Sequence, residues 1–355
     1  MDRAAEIPQV ETMPCESETG RVDKMSAIPF YPRTRRKMDI IESLFAAARE
    51  ATGTRTHLPV GATEPTFVET VSRTRSTAID LGAPLPLLTA YFDSEGRLRR
   101  IPAGRSNSYG VAGIDVLAAA RAHSRLAAFG AQLLLREPPI APPGVGVQGL
   151  GALSAETSGL SMIRPLKLEI VADGTETPTT SELPVVTALA DWSDATLAPS
   201  YASYLRISRA DFRQRLLEGT LAEILGAAIV AGLGRVADQA IMRALAAANL
   251  GSFSLPAAAS AGATFGDLRA VVGTAATGAA VGADGVLRAS GVPAELSDAG
   301  AETFAGDFRN CGVLFDREVH VSAEKVGLAG DMQVSVFTSA VGLVPDPAQF
   351  WRVAA

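Results

Sequence analysis

Apolar and small residues recur at Leu221, Ile224, Leu225, Ala228, Ile229, Gly232, Leu233, Val236 and Ala240. That spacing of three and four marks one face of a helix. Thr220 and Glu223 supply a T-x-x-E capping box at its start, and Asn249 with Gly251 supplies a stop. The pattern predicts a helix of about 28 residues, roughly 42 Å long at 1.5 Å per residue. Upstream, Gly219 ends a shorter helix predicted over 209–217. Before that, Leu197, Tyr201, Tyr204 and Leu205 lie among small and polar residues, with Pro199 suited to an edge, which reads as a strand.

The rest of the chain is patterned less sharply. Residues 38–51 read as an amphipathic helix with Ile41, Leu44, Phe45 and Ala48 on one face. Residues 57–110 are irregular, with a strand at 85–92 and a turn at 94–96 into 98–101. The Ala- and Leu-rich stretch 111–135 predicts a helix, and 138–151 a Pro- and Gly-rich loop. Residues 167–172 and 194–207 read as the two sides of a long hairpin. After the long helix come a small-residue linker at 255–262, a helix over 265–272 capped by Thr264, and a glycine-rich loop at 278–291. Residues 313–322 and 332–343 read as strands, with Val319 and Val321 alternating with Glu318 and His320. The fold class expected is α+β: an antiparallel sheet against one long helix, with no internal repeat.

A chain of 355 residues has room for two or three domains, and 47% apolar with 20% charged content is globular. A net charge of −6 and a pI of about 5.3 argue against a dedicated nucleic-acid binder. The first thirty residues contain no apolar core of a signal peptide. The longest apolar helical run, 224–234, is bounded by Glu223 and Arg235 and reads as too short for a bilayer, so no membrane partner is expected. Two cysteines, Cys15 and Cys311, are too few for a disulfide framework and fit a reducing cytoplasm.

Candidate chemistry is sparse. Gly144, Gly146 and Gly149 satisfy G-x-G-x-x-G, but Pro142 and Pro143 precede them and no amphipathic helix follows, so the stretch reads as a loop. His57, His123 and His320 have no ligand-like spacing, and no metal or nucleophile motif occurs. No catalytic residue, cofactor or metal is expected. Cys311 reads as a small buried hydrophobe, and His320 as a solvated or interface residue. The basic cluster Arg33, Arg35, Arg36 and Lys37 reads as a solvated tail or as a contact for DNA or an acidic scaffold. Gly226, Gly232 and Gly234 each cost a helix about 1 kcal/mol relative to alanine, so something is expected to approach that face closely. Asp191, Trp192, Ser193 and Asp194 place one of two tryptophans between acids. Trp192 is either packed on its own hairpin or an anchor against a neighbouring subunit. The candidate interface residues are Trp192, Asp191, Asp194 and Tyr201.

The order of these elements resembles the major capsid proteins of tailed bacteriophages, the Hong Kong 97-type shell fold shared with encapsulins. Leu197-Ala198-Pro199 and Ile207-Ser208-Arg209 match the family's L-x-P and "iSr" elements ahead of a short helix and a spine helix. Gly291-Val292-Pro293 matches "GvPv", the FAGDF run from Phe304 to Phe308 matches "fGDf", and Val334 through Pro345, Pro347, Ala348 and Phe350 matches the family's ending. The resemblance covers roughly 124–355. It implies a charged N-terminal segment at 1–56, scaffold-like or an internal arm, and an N-terminal arm and extension at 57–166. It further implies an extended loop at 167–205, a peripheral domain with the spine helix at 206–250, an axial domain at 251–303 and the peripheral sheet at 304–355. The function implied is self-assembly, without catalysis, into pentamers and hexamers of an icosahedral shell. That shell would enclose double-stranded DNA without sequence-specific binding, with portal, scaffold or protease, and decoration proteins as partners. The setting implied is the virion, assembled in the host cytoplasm. An encapsulin-type compartment keeps the fold and changes the role; an enzyme of unknown type is the other alternative, with no motif behind it. One branch of the family joins an extended-loop Lys to an Asn of a neighbour. Here lysines occur only at 24, 37, 167 and 325 and asparagines only at 107, 249 and 310, so no such bond is expected.

Overall fold

The computed structural model describes residues 40–50, 52–57, 67–72, 74–88, 91–98, 111–136, 159–166, 183–192, 198–275, 279–326 and 330–353. The chain divides after Met38 into two units. The first lies outside the described residues, as do the basic cluster at 33–37, the glycine motif at 144–149 and Cys15.

Helix α1 (Ile40–Glu50) is followed by the antiparallel strands β1 (Thr52–His57) and β2 (Phe67–Ser72), then by β3 (Arg75–Asp80). Strand β4 (Leu85–Leu88) pairs with β5 (Val111–Ile114). Helices α2 (Val116–His123) and α3 (Arg125–Ala128) lead to β6 (Gln132–Leu135). Strands β7 (Gly159–Ile163) and β8 (Val185–Leu189) pair antiparallel. Strand β9 (Ser200–Ile207), helix α4 (Arg209–Glu218) and the 27-residue helix α5 (Leu221–Ala247) follow in direct succession. Helix α6 (Leu255–Ser260) precedes β10 (Arg269–Val272), β11 (Ala279–Val281), β12 (Leu287–Ala289), β13 (Val292–Leu296) and β14 (Phe304–Gly306). The last strands are β15 (Gly312–Phe315), β16 (Glu318–Val326), β17 (Asp331–Leu343) and β18 (Phe350–Arg352).

Two six-stranded sheets result. One runs β3-β16-β17-β15-β6, with β9 paired along β17; the other runs β11-β12-β13-β10-β14-β18. Each contains one parallel pair, β6 with β15 and β10 with β13, so the sheets are mixed where an antiparallel sheet was expected. The tail is divided between them, since β14 and β18 close the second sheet while β15 to β17 build the first.

Helix α5 packs on β17 and α2. The contact is close enough to fix residue size. A Cβ on Gly342 would lie 2.2 Å from the carbonyl oxygen of Ala240, and one on Gly234 would lie 2.7 Å from that of Ala120. The predicted face of α1 is buried as expected: Ile41, Leu44, Phe45 and Ala48 are at most 4% exposed, and the Phe45 ring meets Phe212 of α4 edge-on at 5.6 Å. Length and mean hydropathy make α5 apolar enough to cross a membrane, contrary to the run-length argument. Its apolar positions are those of a core helix, with Leu225, Val230, Leu233, Ala237, Ile241 and Leu245 buried.

Several expectations fail for local reasons. The helix expected over 111–135 is broken by two capping side chains. Asp115 accepts the Ala118 N–H and starts α2, and Ser124 accepts the Ala127 N–H and starts α3. Residues 255–262 form no linker but α6, capped by Ser254. Thr264 holds Asp267, yet only a turn forms there, and Val271 and Val272 go into the sheet as β-branched residues favour. The glycine-rich 278–291 contains the β11–β12 pair, clasped by Arg288 donating to both oxygens of Asp284. The Thr220 capping box does not form, because its hydroxyl is buried with no partner among the described residues. Instead Gly219, at φ 68°, ends α4, and its neighbour Thr220 donates its N–H back to Arg215.

Candidate subunit interface

A described antiparallel hairpin is formed by β7 and β8, whereas Ser200–Ile207, expected in the second arm of a hairpin, lies along β17. Residues 167–182 lie outside the described residues. Side chains alternate across the pair. Leu160 and Met162, with their partners Ala188 and Val186, share one face, and Leu160 packs with Ala190, Ala198, Leu314, Val341 and Leu343. The opposite face carries Leu189, the hydrogen-bonded Ser161–Thr187 pair at 2.8 Å, and Ile163 beside Val185. Ile163 is 75% exposed, Leu189 63% and Val185 50%, and Leu166 and Leu183 flank them, also exposed.

The hairpin is tied down at its Ile163–Val185 end by a pair that the sequence did not single out. Arg164 donates from Nε and Nη2 to the two carboxylate oxygens of Asp346, at 2.8 and 2.6 Å. The Asp346 side chain is 2% exposed and that of Arg164 48%. The bidentate bond raises the guanidinium's pKa above its ordinary value. Asp346 also accepts the Ala348 N–H at 3.2 Å, so the carboxylate fixes the turn before β18 as well.

Trp192 sits at the root, beyond the Gly159–Leu189 end of the pair, half-buried against the Leu160–Leu343 cluster, with the Arg136 guanidinium 4.9 Å from its ring centroid. Its indole N–H is buried without an acceptor among the described residues. Asp191 beside it is exposed, and Asp194 lies outside the described residues. Tyr201 stands opposite Thr338 in the β9–β17 register and packs toward the main core; burial raises its phenol pKa, partly offset by Arg243. The exposed aromatic of that strand is Tyr204, stacked edge-on against Phe337 at 5.7 Å. The structure therefore brings Trp192 to the hairpin root and turns Tyr201 inward.

No group of three or more metal-ligating side chains occurs among the described residues. Cys311 is fully buried, its thiol pKa is pushed up by that burial, and it donates to the Phe308 carbonyl, as a structural cysteine does. His320 is exposed on β16. Asp307 of the FAGDF run caps the 3-10 turn at Phe308–Asn310 and holds Arg309, which also reaches Asp267 at 2.7 Å. Asp238, in the middle of α5, is another residue missed. It is 4% exposed and accepts the Ser124 hydroxyl at 2.6 Å and the N–H groups of Arg125 and Leu126 at 3.1 Å each. Burial raises its pKa against the lowering effect of those bonds. A lone acid on an otherwise apolar helical face was the available signal.

No family model matches the sequence, and no curated protein does. Among solved structures the chain is similar to capsids and to a virus-like particle. The capsid of a native GTA particle is 14% identical, with 72% of this chain and 96% of that one covered and a TM-score of 0.35. The capsid of cyanophage P-SCSP1u is 9% identical, with 73% and 92% covered and a TM-score of 0.35. A virus-like particle from Pyrococcus furiosus is 9% identical, with 67% and 96% covered and a TM-score of 0.35.

Proposed function

We propose that this chain is the major capsid subunit of a tailed phage, a Hong Kong 97-type shell protein that assembles into pentamers and hexamers around double-stranded DNA. The observation that carries the reading is the hairpin: a two-stranded ribbon with one face on its own subunit and Ile163, Val185 and Leu189 exposed on the other. Exposed apolar side chains gathered on one face, here Ile163 beside Val185 with Leu189 beyond the Ser161–Thr187 pair, support a partner-binding site. The motif order around β9, α4 and α5 supports the same reading. On it, 167–205 is the extended loop, 206–250 and 304–355 belong to the peripheral domain and 251–303 to the axial domain. Residues 1–56 form a scaffold-like segment or internal arm, and 57–166 the arm and extension. Trp192 and Asp191 then stand where the loop leaves the subunit, and Tyr201 belongs to the main core. The shell is a structural assembly in the virion, formed in the host cytoplasm, with portal, scaffold or protease, and decoration proteins as partners. Many copies of a modest interface, each burying apolar area at about 25 cal/mol per Å², close it cooperatively. Negative-stain microscopy with light scattering on the purified protein is the test. Closed shells, or rings of five and six, are expected; a monomer under all conditions, with scaffold or protease co-expressed, would overturn the reading.

A further inference from the structure

His123 occupies the last turn of α2, and both ring nitrogens are engaged. Nδ1 lies 2.8 Å from the carbonyl oxygen of Ala119, and Nε2 lies 3.0 Å from the backbone nitrogen of Leu98. A carbonyl only accepts and a backbone N–H only donates, so Nδ1 carries the proton and Nε2 offers its lone pair. Only the neutral ring makes both bonds. The bond to Leu98 holds down a small built turn. Asp93 Oδ1 accepts the N–H groups of Glu95 and Arg97 at 2.9 and 2.8 Å, Phe92 bridges to Leu98 and is 4% exposed, and Gly96 lies against Ala119 and Ala122.

We propose that His123 is a proton-operated latch: a proton on Nε2 sets two N–H groups against each other and releases the turn at 91–98 from α2. The surroundings oppose any compensation. His123 and Leu98 line an open cleft with Arg125 of α3, Arg235 and Asp238 of α5, and Asp298 beyond β13. Asp238 is held by α3 and Asp298 by Arg235, while Arg125 is paired with Glu295. On the turn, Glu95 is paired with Arg97, and Asp93 is taken by backbone N–H groups; Arg121 is the other cation of α2. The carboxylates of the cleft are thus each bonded elsewhere, and among the described residues none is bonded to the His123 ring. Protonation of the ring would loosen the turn at 91–98 from α2 and leave the sheet intact.

Hydrogen exchange by mass spectrometry on the full chain at pH 8 and pH 5.5, corrected for intrinsic rates, tests this. Amides 92–98 should lose protection at least tenfold at the lower pH, while β16 and β17 keep theirs. His123→Ala should show the low protection at both values. Equal protection at the two pH values, a loss shared by the whole sheet, or a wild-type response in His123→Ala would each overturn the latch. Should the variant fail to fold, nitrogen NMR of histidine-labelled wild type decides: the Nδ1–H tautomer is expected at pH 8, and an Nε2–H ring would overturn the proposal.

Discussion

Replacing Gly232 by alanine is expected to stabilise the subunit, and replacing Gly234, two residues on, to destabilise it. Both lie inside α5, where glycine costs about 1 kcal/mol relative to alanine through backbone entropy. A Cβ on Gly232 meets nothing within 4 Å, so the full gain of about 1 kcal/mol is available. A Cβ on Gly234 would lie 2.7 Å from the Ala120 carbonyl oxygen and from the carbonyl carbon and Cβ of His123. Two of these three are backbone atoms, so α2 must move as a unit, and overpacking of this kind costs about 1–3 kcal/mol. The net for Gly234→Ala is a loss of up to about 2 kcal/mol. Gly226 is intermediate: its Cβ would lie 2.6 Å from Leu87 Cδ2, the far end of a side chain that is itself fully buried. Its net should fall near zero. Urea denaturation of unassembled subunits, with equal m-values across the series, measures these differences. A Gly232→Ala loss as large as that of Gly234→Ala would refute the packing argument.

Arg164→Ala should cost about 1–3 kcal/mol, since it strands the buried Asp346 carboxylate, with the lower end set by the exposure of Arg164. Faster hydrogen exchange at 183–189 should accompany the lower melting temperature, and unchanged exchange there would show that the pair does not anchor the hairpin. Trp192→Ala should weaken assembly by about 2 kcal/mol per contact while leaving a cooperative melt; light scattering identical to wild type would reduce Trp192 to local packing. Mature particles boiled in detergent and reductant should run as single chains, and a ladder of covalent pentamers and hexamers would contradict that expectation.

The parts legible in the sequence were those where one local signal dominates. The α1 face and α5 followed from helical periodicity, and α4 from its Gly219 stop. Val319 and Val321 revealed the buried face of β16. The misreadings came where side chains compete with periodicity. Asp115 and Ser124 each end one element by starting another, and an Ala- and Leu-rich run hides both. Strand partners were out of reach because register depends on distant segments: β6 pairs with β15, and β3 with β16. For the same reason the anchor of the hairpin was invisible, since Arg164 and Asp346 lie 182 residues apart. The close approach expected at the α5 glycines is found within the subunit at Gly226 and Gly234 but not at Gly232, and Gly342 meets its own, against Ala240 where β17 packs on α5.

The division of the tail between the two sheets governs how this polypeptide can be made. Strand β3 finds β16 only after more than two hundred further residues have been synthesised, and β14 finds β18 only when Phe350–Arg352 exist. A nascent chain halted between the end of α5 and the start of β17 holds that apolar helix with no β17 to cover it. Long-range closure of this kind makes folding slow and exposes intermediates to aggregation. It also acts as a quality check, because a prematurely terminated chain lacks the strands that complete both sheets.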